Sequence, residues 1–348
     1  MQAGVGHPLQ GLVRCPYHPA GRELLVCQGS AAQSDPALLN CQECGREYTI
    51  EDGIYRLMPD EFRESAGGSD TSRDAATAQK HREMQQRDAR AGLSGAGYVP
   101  SPPGSALEWM NVQYDAVTRL VRMPAHGVCF DFGTGVGRYM PWLLERASQV
   151  VGTDFSFASL RALRRILTPE QRARCLLVQT DLSRLGLASE IASGGLCVEV
   201  LQHLPSRAMR EAALRDMGRV LAPGAELFLV TKAFTAVSRL LGALQLAKWR
   251  VGRLAGGRRE RPLVEQETVE GAIYTYRFTY RELRRLARSQ FVERDARGII
   301  SFGIFPITLL SRDRRYRVDA WMERSRIGRV FGQDLLFRLQ RADNDLTK

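Results

Sequence analysis

The sequence lacks any apolar run long enough to cross a bilayer. The longest candidate, Ile299 to Leu310, is too short and is broken by Pro306. Met1 to Arg14 holds no apolar core of the kind a secretory leader needs, so a cytoplasmic protein is expected. The seven cysteines are odd in number and scattered, which excludes a disulfide framework. Charge balance is also missing. The net charge is +11, and from Thr235 onward 24 Lys and Arg face 13 Asp and Glu, so that segment carries the whole excess. A basic C-terminal third suits nucleic acid, anionic lipid or an acidic substrate, and equally a solvated surface. With 348 residues the chain can hold a full α/β core and an appendage.

What is present centres on Val128 to Arg138, Val-Cys-Phe-Asp-Phe-Gly-Thr-Gly-Val-Gly-Arg. An apolar run of strand type breaks into glycines at alternate positions, Gly133, Gly135 and Gly137, ahead of a segment able to start a helix. The pattern predicts a strand, a tight turn and a helix N-terminus with backbone open to a nucleotide-like ligand. A dinucleotide fingerprint requires Gly-x-Gly-x-x-Gly, and the last position here is Arg138. From Asp131 the string reads Asp-x-Gly-x-Gly-x-Gly, which resembles the first motif of class I S-adenosylmethionine (SAM)-dependent methyltransferases. The resemblance implies SAM as cofactor, with Asp131, Gly133, Thr134, Gly135 and Gly137 among its binding residues.

Gln149 to Asp154 reads as a second buried strand ending in an acid, with Ser156 able to cap the next helix. Ligands of open α/β sheets lie at the carboxyl ends of strands beside the switch point. Asp154 there can accept from two ribose hydroxyls, with Phe155 beside it. A third strand, Cys175 to Thr180, ends in Asp181 and Leu182. The resemblance implies that Asp181 receives the adenine amino group and that the Leu182 backbone contributes. The fourth strand, Gly194 to Val198, is weakened by its two glycines. After it, Glu199-Val-Leu-Gln-His-Leu-Pro205 resembles the Val-Leu-x-His-Leu-Pro segment of the methyltransferases of ubiquinone and menaquinone biosynthesis. That segment lies beside the sulfonium, placing Glu199 at the cofactor. His203 is a candidate to deprotonate or orient an acceptor hydroxyl, or a structural hydrogen-bonder. Ser206 caps a helix, and Arg219-Val-Leu-Ala-Pro-Gly-Ala225 resembles the family's Arg-Val-Leu-Lys-Pro-Gly-Gly element before a fifth strand, Glu226 to Val230. One register accounts for five strand ends. The expected fold is a Rossmann-like α/β sheet of seven strands, order 3-2-1-4-5-7-6, the last strand antiparallel.

Cys15-Pro-Tyr-His18 and Cys41-Gln-Glu-Cys44 form two knuckles whose donor set suits tetrahedral Zn²⁺. Metal binding would substitute for a core that about 45 residues cannot build. The following Gly45 to Pro59 resembles the end of the zinc ribbons that precede some bacterial methyltransferase domains. Such ribbons usually have cysteine where His18 stands, and Cys27 is an alternative ligand. Residues 1–60 carry four Arg and seven Asp and Glu, which opposes contact with phosphate and favours a folding or docking role.

The expected division is a zinc-ribbon-like module over 1–60, a polar linker over 61–104 and a methyltransferase domain over 105–348. Within the linker Thr77 to Arg90 can form a polar helix; beyond it Ser105 caps a helix carrying Tyr114 and Val117. A lid spans 235–275, with a basic amphipathic helix over Thr235 to Leu263 that either packs over the cleft or touches anionic lipid. Tyr276, at its end, is a second candidate base. Thr279 to Glu282 reads as a capping box ahead of a sixth strand. An insert over 303–333 with Trp321 and several arginines precedes the last strand, Asp334 to Gln340. Three functions compete: a methyltransferase acting on a hydroxyl, amine or activated carbon of a small molecule such as a secondary metabolite, quinone or lipid precursor; an RNA methyltransferase of the rRNA-guanine type; and a non-catalytic binding module. Against RNA stand the acidic ribbon and the lack of an Asn-Pro-Pro-Tyr-type motif. The three acids Asp131, Asp154 and Asp181 stand against the third.

Overall fold

The computed structural model describes residues 7–26, 36–62, 74–91, 97, 99–101, 108–235, 239–240, 243–244, 266–300, 312–325 and 328–342. The N-terminal module contributes β1 (Leu25–Val26), β2 (Ala37–Asn40), β3 (Glu47–Glu51) and β4 (Ile54–Arg56), then a 3-10 turn at Asp60–Phe62. Helices α1 (Ala75–Ala91) and α2 (Glu108–Leu120) lead to β5 (Val128–Phe132), α3 (Met140–Leu144), β6 (Gln149–Asp154), α4 (Phe157–Ile166), α5 (Pro169–Arg174), β7 (Cys175–Gln179) and β8 (Ala192–Val198). Next come α6 (Arg207–Val220), β9 (Leu221–Lys232), the hairpin β10 (Glu267–Glu270) and β11 (Ile273–Tyr276), α7 (Tyr280–Ala287), β12 (Phe291–Ile299), α8 (Arg312–Glu323), α9 (Gly328–Phe331) and β13 (Asp334–Arg341).

The apolar runs become strands covered on both faces. Every residue of β7, Cys-Leu-Leu-Val-Gln, is buried, with no alternation of polar and apolar positions. Ser156 starts α4 by accepting the Ser159 N–H at 3.1 Å, and Leu160 and Leu163 of that helix are buried against the sheet. The strands run in the order β7-β6-β5-β8-β9-β13-β12, with β13 antiparallel to both neighbours. This is the expected order. Because β5 pairs in parallel with β6 on one side and β8 on the other, the crossovers diverge from it and leave a crevice at the carboxyl ends of these strands.

The sheet does not stop at seven strands. β4 pairs in parallel with β7, Ile54 opposite Leu177 and Arg56 opposite Gln179, so β1 to β4 extend one sheet to eleven strands. The reason is edge chemistry: β7 alone would present a row of unpaired backbone groups, which β4 and the Leu57 N–H on the Gln179 carbonyl at 2.7 Å satisfy. Leu39, Tyr48, Tyr55 and Leu57 join the same buried cluster as Leu176 and Val178, so the N-terminal module shares the core. Helix α1, in the stretch expected as a linker, buries Lys80, Glu83 and Met84. Ser105, most of the helix expected over Thr235 to Leu263, and residues 303–311 of the insert lie outside the described residues. Trp321 is exposed. No helix among the described residues is long and apolar enough to cross a membrane.

Candidate active site

A cavity of about 310 Å³ opens at the carboxyl ends of β5, β6 and β8. The glycine turn forms its floor, with Asp131, Gly133, Thr134 and Gly135 lining it. Gly135 adopts φ +55°, in the left-handed region that side chains disfavour, and its N–H donates to Asp154 Oδ2 at 2.8 Å. Asp154 Oδ1 accepts the Ser156 N–H at 2.9 Å, so two backbone donors fix this carboxylate at the cavity wall beside Phe155. Gly137 does not line the cavity. A Cβ there would lie 2.3 Å from Leu163 Cδ1, so this glycine lets α4 approach the turn.

Burial dominates the electrostatics. It pushes the Asp131 carboxyl up to about 7, and Asp131 Oδ2 has no hydrogen-bond partner. Thr134 Oγ, Tyr139 Oη and Glu199 Oε1, on residues that line the cavity, are likewise buried without a hydrogen-bond partner. Buried polar groups are ordinarily paired, so this cluster of unmet oxygens marks the region beside the cavity as one suited to a polar ligand. Glu199, at φ +61°, pairs through Oε2 with Lys232 Nζ at 3.1 Å, and Lys232 pairs with Asp334 at 2.9 Å.

His203 lines the cavity. Its Nδ1 lies 2.7 Å from the Tyr274 carbonyl, which only accepts, so Nδ1 carries the hydrogen and Nε2 accepts from the Gln202 amide at 3.4 Å. Burial, reinforced by the nearby Arg87 and Lys232, pushes its pKa down to about 3. The imidazole is therefore neutral and a weak proton acceptor. Tyr276 is a correction to the expectation of a second base. Alternate residues of a strand face opposite sides, and on β11 it is Ile273 that lines the cavity, while the Tyr276 hydroxyl donates to Glu282 away from it.

Asp181 is held back from the cavity between its lining neighbours Thr180 and Leu182. Its Oδ1 receives the Lys80 ammonium, and the Ser183 N–H and hydroxyl at 2.7 Å each. Burial opposes ionisation of this acid, but Lys80 and Ser183 outweigh it and hold the pKa below the usual range. Sequence reasoning missed the other wall, helix α1, which contributes Lys80, Glu83, Arg87 and Arg90. Glu83 accepts from Arg87 at 2.9 Å and from the Tyr274 N–H at 3.4 Å, while Gln79 donates to the Ala272 carbonyl at 2.7 Å. These contacts tie α1 to the β10–β11 hairpin across the cavity. The only signal was spacing: Lys80, Glu83, Met84 and Arg87 recur on one helical face.

Cys15, His18, Cys41 and Cys44 also come together, their ligand atoms all within 4.8 Å of one another. Cys41 Sγ lies 3.7 Å from His18 Nδ1, and Cys15 Sγ 3.9 Å from Cys44 Sγ. A tetrahedron with zinc–sulfur bonds of about 2.3 Å has edges near 3.8 Å, so the donor set and its size fit Zn²⁺. Tyr48 Oη, 3.1 Å from Cys15 Sγ, supports the cluster from outside. Cys27 lies outside the described residues.

Residues 130–229 match the model of the methyltransferase-domain family. No curated protein matches the chain. Among solved structures it is similar to an S-adenosylmethionine-dependent methyltransferase from Mesorhizobium loti, at 17% identity over 68% of this chain and 99% of that one, TM-score 0.46. It is similar also to the 1,6-didemethyltoxoflavin-N1-methyltransferase of Burkholderia thailandensis, solved with 1,6-didemethyltoxoflavin and S-adenosylhomocysteine, at 13% identity over 89% of this chain and 100% of that one, TM-score 0.48. A third similarity is to the complex between the Haloferax volcanii Trm112 methyltransferase activator and a putative methyltransferase, at 17% identity over 75% of this chain and 96% of that one, TM-score 0.47. The family match spans the glycine turn at the switch point of a sheet in this strand order, so residues 130–229 form a methyltransferase domain.

Proposed function

We propose that the enzyme methylates a hydroxyl, amine or activated carbon of a small molecule held in the cavity at the switch point. The observation that carries this reading is enclosure: α1 and the β10–β11 hairpin meet over a cavity whose buried Asp131, Thr134, Tyr139 and Glu199 each keep an unused polar atom. Such a chamber admits a small acceptor beside the donor, whereas an extended RNA needs an open basic groove.

Bound there, SAM supplies an electrophilic methyl group on a sulfonium. Asp154 offers its carboxylate to the ribose hydroxyls, and Asp131 and Thr134 offer unpaired oxygens to the polar end of the donor. The Leu182 backbone serves the adenine edge, with Asp181 held behind it by Lys80 and Ser183. Methyl transfer neutralises charge, so the protein's work is alignment and exclusion of water, which the α1–hairpin contact performs. His203, neutral, with Nδ1 on the Tyr274 carbonyl and Nε2 beside the Gln202 amide, shapes the cavity wall around the acceptor in preference to stripping it of a proton. Cys15, His18, Cys41 and Cys44 hold zinc in a closed four-ligand site, a structural role.

The test uses SAM labelled in its methyl group with two acceptor pools, a dialysable small-molecule extract and purified total RNA. Label is expected in the small-molecule pool. Label in RNA, together with RNA binding that weakens steeply with salt, would refute the reading.

A further inference from the structure

A short series of contacts begins inside the metal-ligand cluster and ends at the donor cavity. Tyr17 stands between two ligands, Cys15 and His18. Its hydroxyl accepts the Asp60 N–H at 2.9 Å and donates to Glu61 Oε2 at 3.1 Å, which fixes the 3-10 turn at Asp60–Phe62. Arg46 stacks on the Tyr17 ring at 4.0 Å and pairs with Asp60 at 2.8 Å. From the other side Arg184, three residues past Asp181, stacks on the same ring at 4.8 Å and reaches Glu61 at 3.4 Å.

The turn delivers Phe62 into a buried cluster with Met58, Met84 of α1 and the cavity-lining Phe155. The Lys80 ammonium lies 5.3 Å from the Phe62 ring centre and pairs with Asp181, both side chains buried. A parallel connection runs through the strand: Arg56 Nε donates to Gln179 Oε1 at 3.1 Å, and Gln179 Nε2 donates to the Phe155 carbonyl at 3.1 Å.

Resting on the SAM reading above, we propose that the four-ligand cluster is a metal-held brace for the adenosine end of the donor cavity, with Tyr17 as its positioning residue. The strands of the module are ordered by the shared core, while its two knuckles have the metal to hold them together, and that binding energy adds to folding energy. Metal orders the Cys15–His18 knuckle and with it Tyr17. Tyr17 orders the Asp60–Phe62 turn, and the turn seats Phe155 and the Lys80–Asp181 pair. A buried ion pair tolerates little displacement, since parting its members leaves two uncompensated charges.

The test is calorimetric titration of S-adenosylhomocysteine into the full chain, with zinc content measured in parallel. Chelation is expected to weaken binding about tenfold or more. Tyr17→Phe keeps all four ligands, so it should retain zinc yet weaken binding about threefold to tenfold through loss of its hydroxyl contacts. Combined with Lys80→Gln, its effect should be smaller than the sum of the two, which a purely structural role would not produce. Should chelation unfold the chain, Tyr17→Phe decides alone. Unchanged affinity in the chelated protein and in Tyr17→Phe, or a chain that takes up no zinc, overturns the brace. A zinc-loaded wild type that fails to bind S-adenosylhomocysteine overturns the donor assignment instead.

Discussion

Replacing Asp131 with Asn is expected to abolish a pH dependence of donor binding that the wild type should show. Asp131 is 3% exposed, and burial pushes its carboxyl up to about 7. Without donor the protonated form is therefore favoured in the fold, and the protein loses stability as pH rises from about 3.8 to about 7, with no further loss above that. From an ordinary value of 3.8 this is a ceiling of about 4 kcal/mol. A bound ammonium reverses the preference, because the opposite charge favours the carboxylate. Donor binding to Asp131 must then release a proton below pH 7.

The linkage sets the magnitude. Between pH 5.5 and 7, where the amino group of S-adenosylhomocysteine stays charged, affinity should rise about fifteenfold for one released proton. Calorimetry in two buffers of different ionisation enthalpy counts that proton directly. Burial, and then the neighbouring Glu199 charge, push Asp334 up to about 7 against the pull of Lys232, so it offers a second source of such a slope. Asp131→Asn separates the two: the slope should vanish and the affinity fall. A flat profile in the wild type, or a slope surviving in Asp131→Asn, refutes the placement of the donor's ammonium at Asp131.

Gly135→Val puts a β-branched residue at φ +55°, which costs about 1–2 kcal/mol and crowds the turn, so S-adenosylhomocysteine affinity should fall about tenfold or more. His203→Asn should lower kcat by about tenfold, short of the roughly hundredfold or greater loss expected for a general base, and leave the pH–rate profile unchanged in shape. Asp88→Ala removes an acceptor for the Ala158 N–H at 3.0 Å at the start of α4 and should cost about 1 kcal/mol in urea denaturation. His18→Ala should reduce zinc retention on dialysis; retention at the wild-type level would assign the fourth ligand to Cys27.

The strand ends were legible because their signal is local. An apolar run, a glycine or acid at its end and a cap at the next helix occupy a dozen consecutive residues, and such signals put Asp131, Gly135 and Asp154 on one cavity wall. The two glycines that weakened the fourth strand have a packing reason: side chains at Gly194 and Gly195 would press on Pro124 and Phe132. The face that Tyr276 takes was not legible, because a tyrosine at the end of a lid says nothing about which side of the hairpin its ring occupies. Helix α1 was expected over Thr77 to Arg90, but its place at the cavity was invisible for a different reason. Two of its four buried positions are Lys80 and Glu83, whose partners Asp181 and Tyr274 lie far along the chain, and polar burial leaves little hydrophobic periodicity to read.

The same distinction explains the placement of the N-terminal module. The paired knuckles announce a metal, but nothing local states that β4 will complete the edge of β7 or that Tyr17 will hold the turn beside Lys80. An independent ribbon would keep its sheet edge and knuckle surface for a partner. Here β4 pairs with β7, and Tyr17 is occupied by Arg46, Arg184 and Glu61. With its acidic charge, this inward commitment leaves the module little with which to grip a nucleic acid and much with which to shape the donor cavity. Weakened S-adenosylhomocysteine binding in Tyr17→Phe with zinc retained is the outcome this inward commitment predicts.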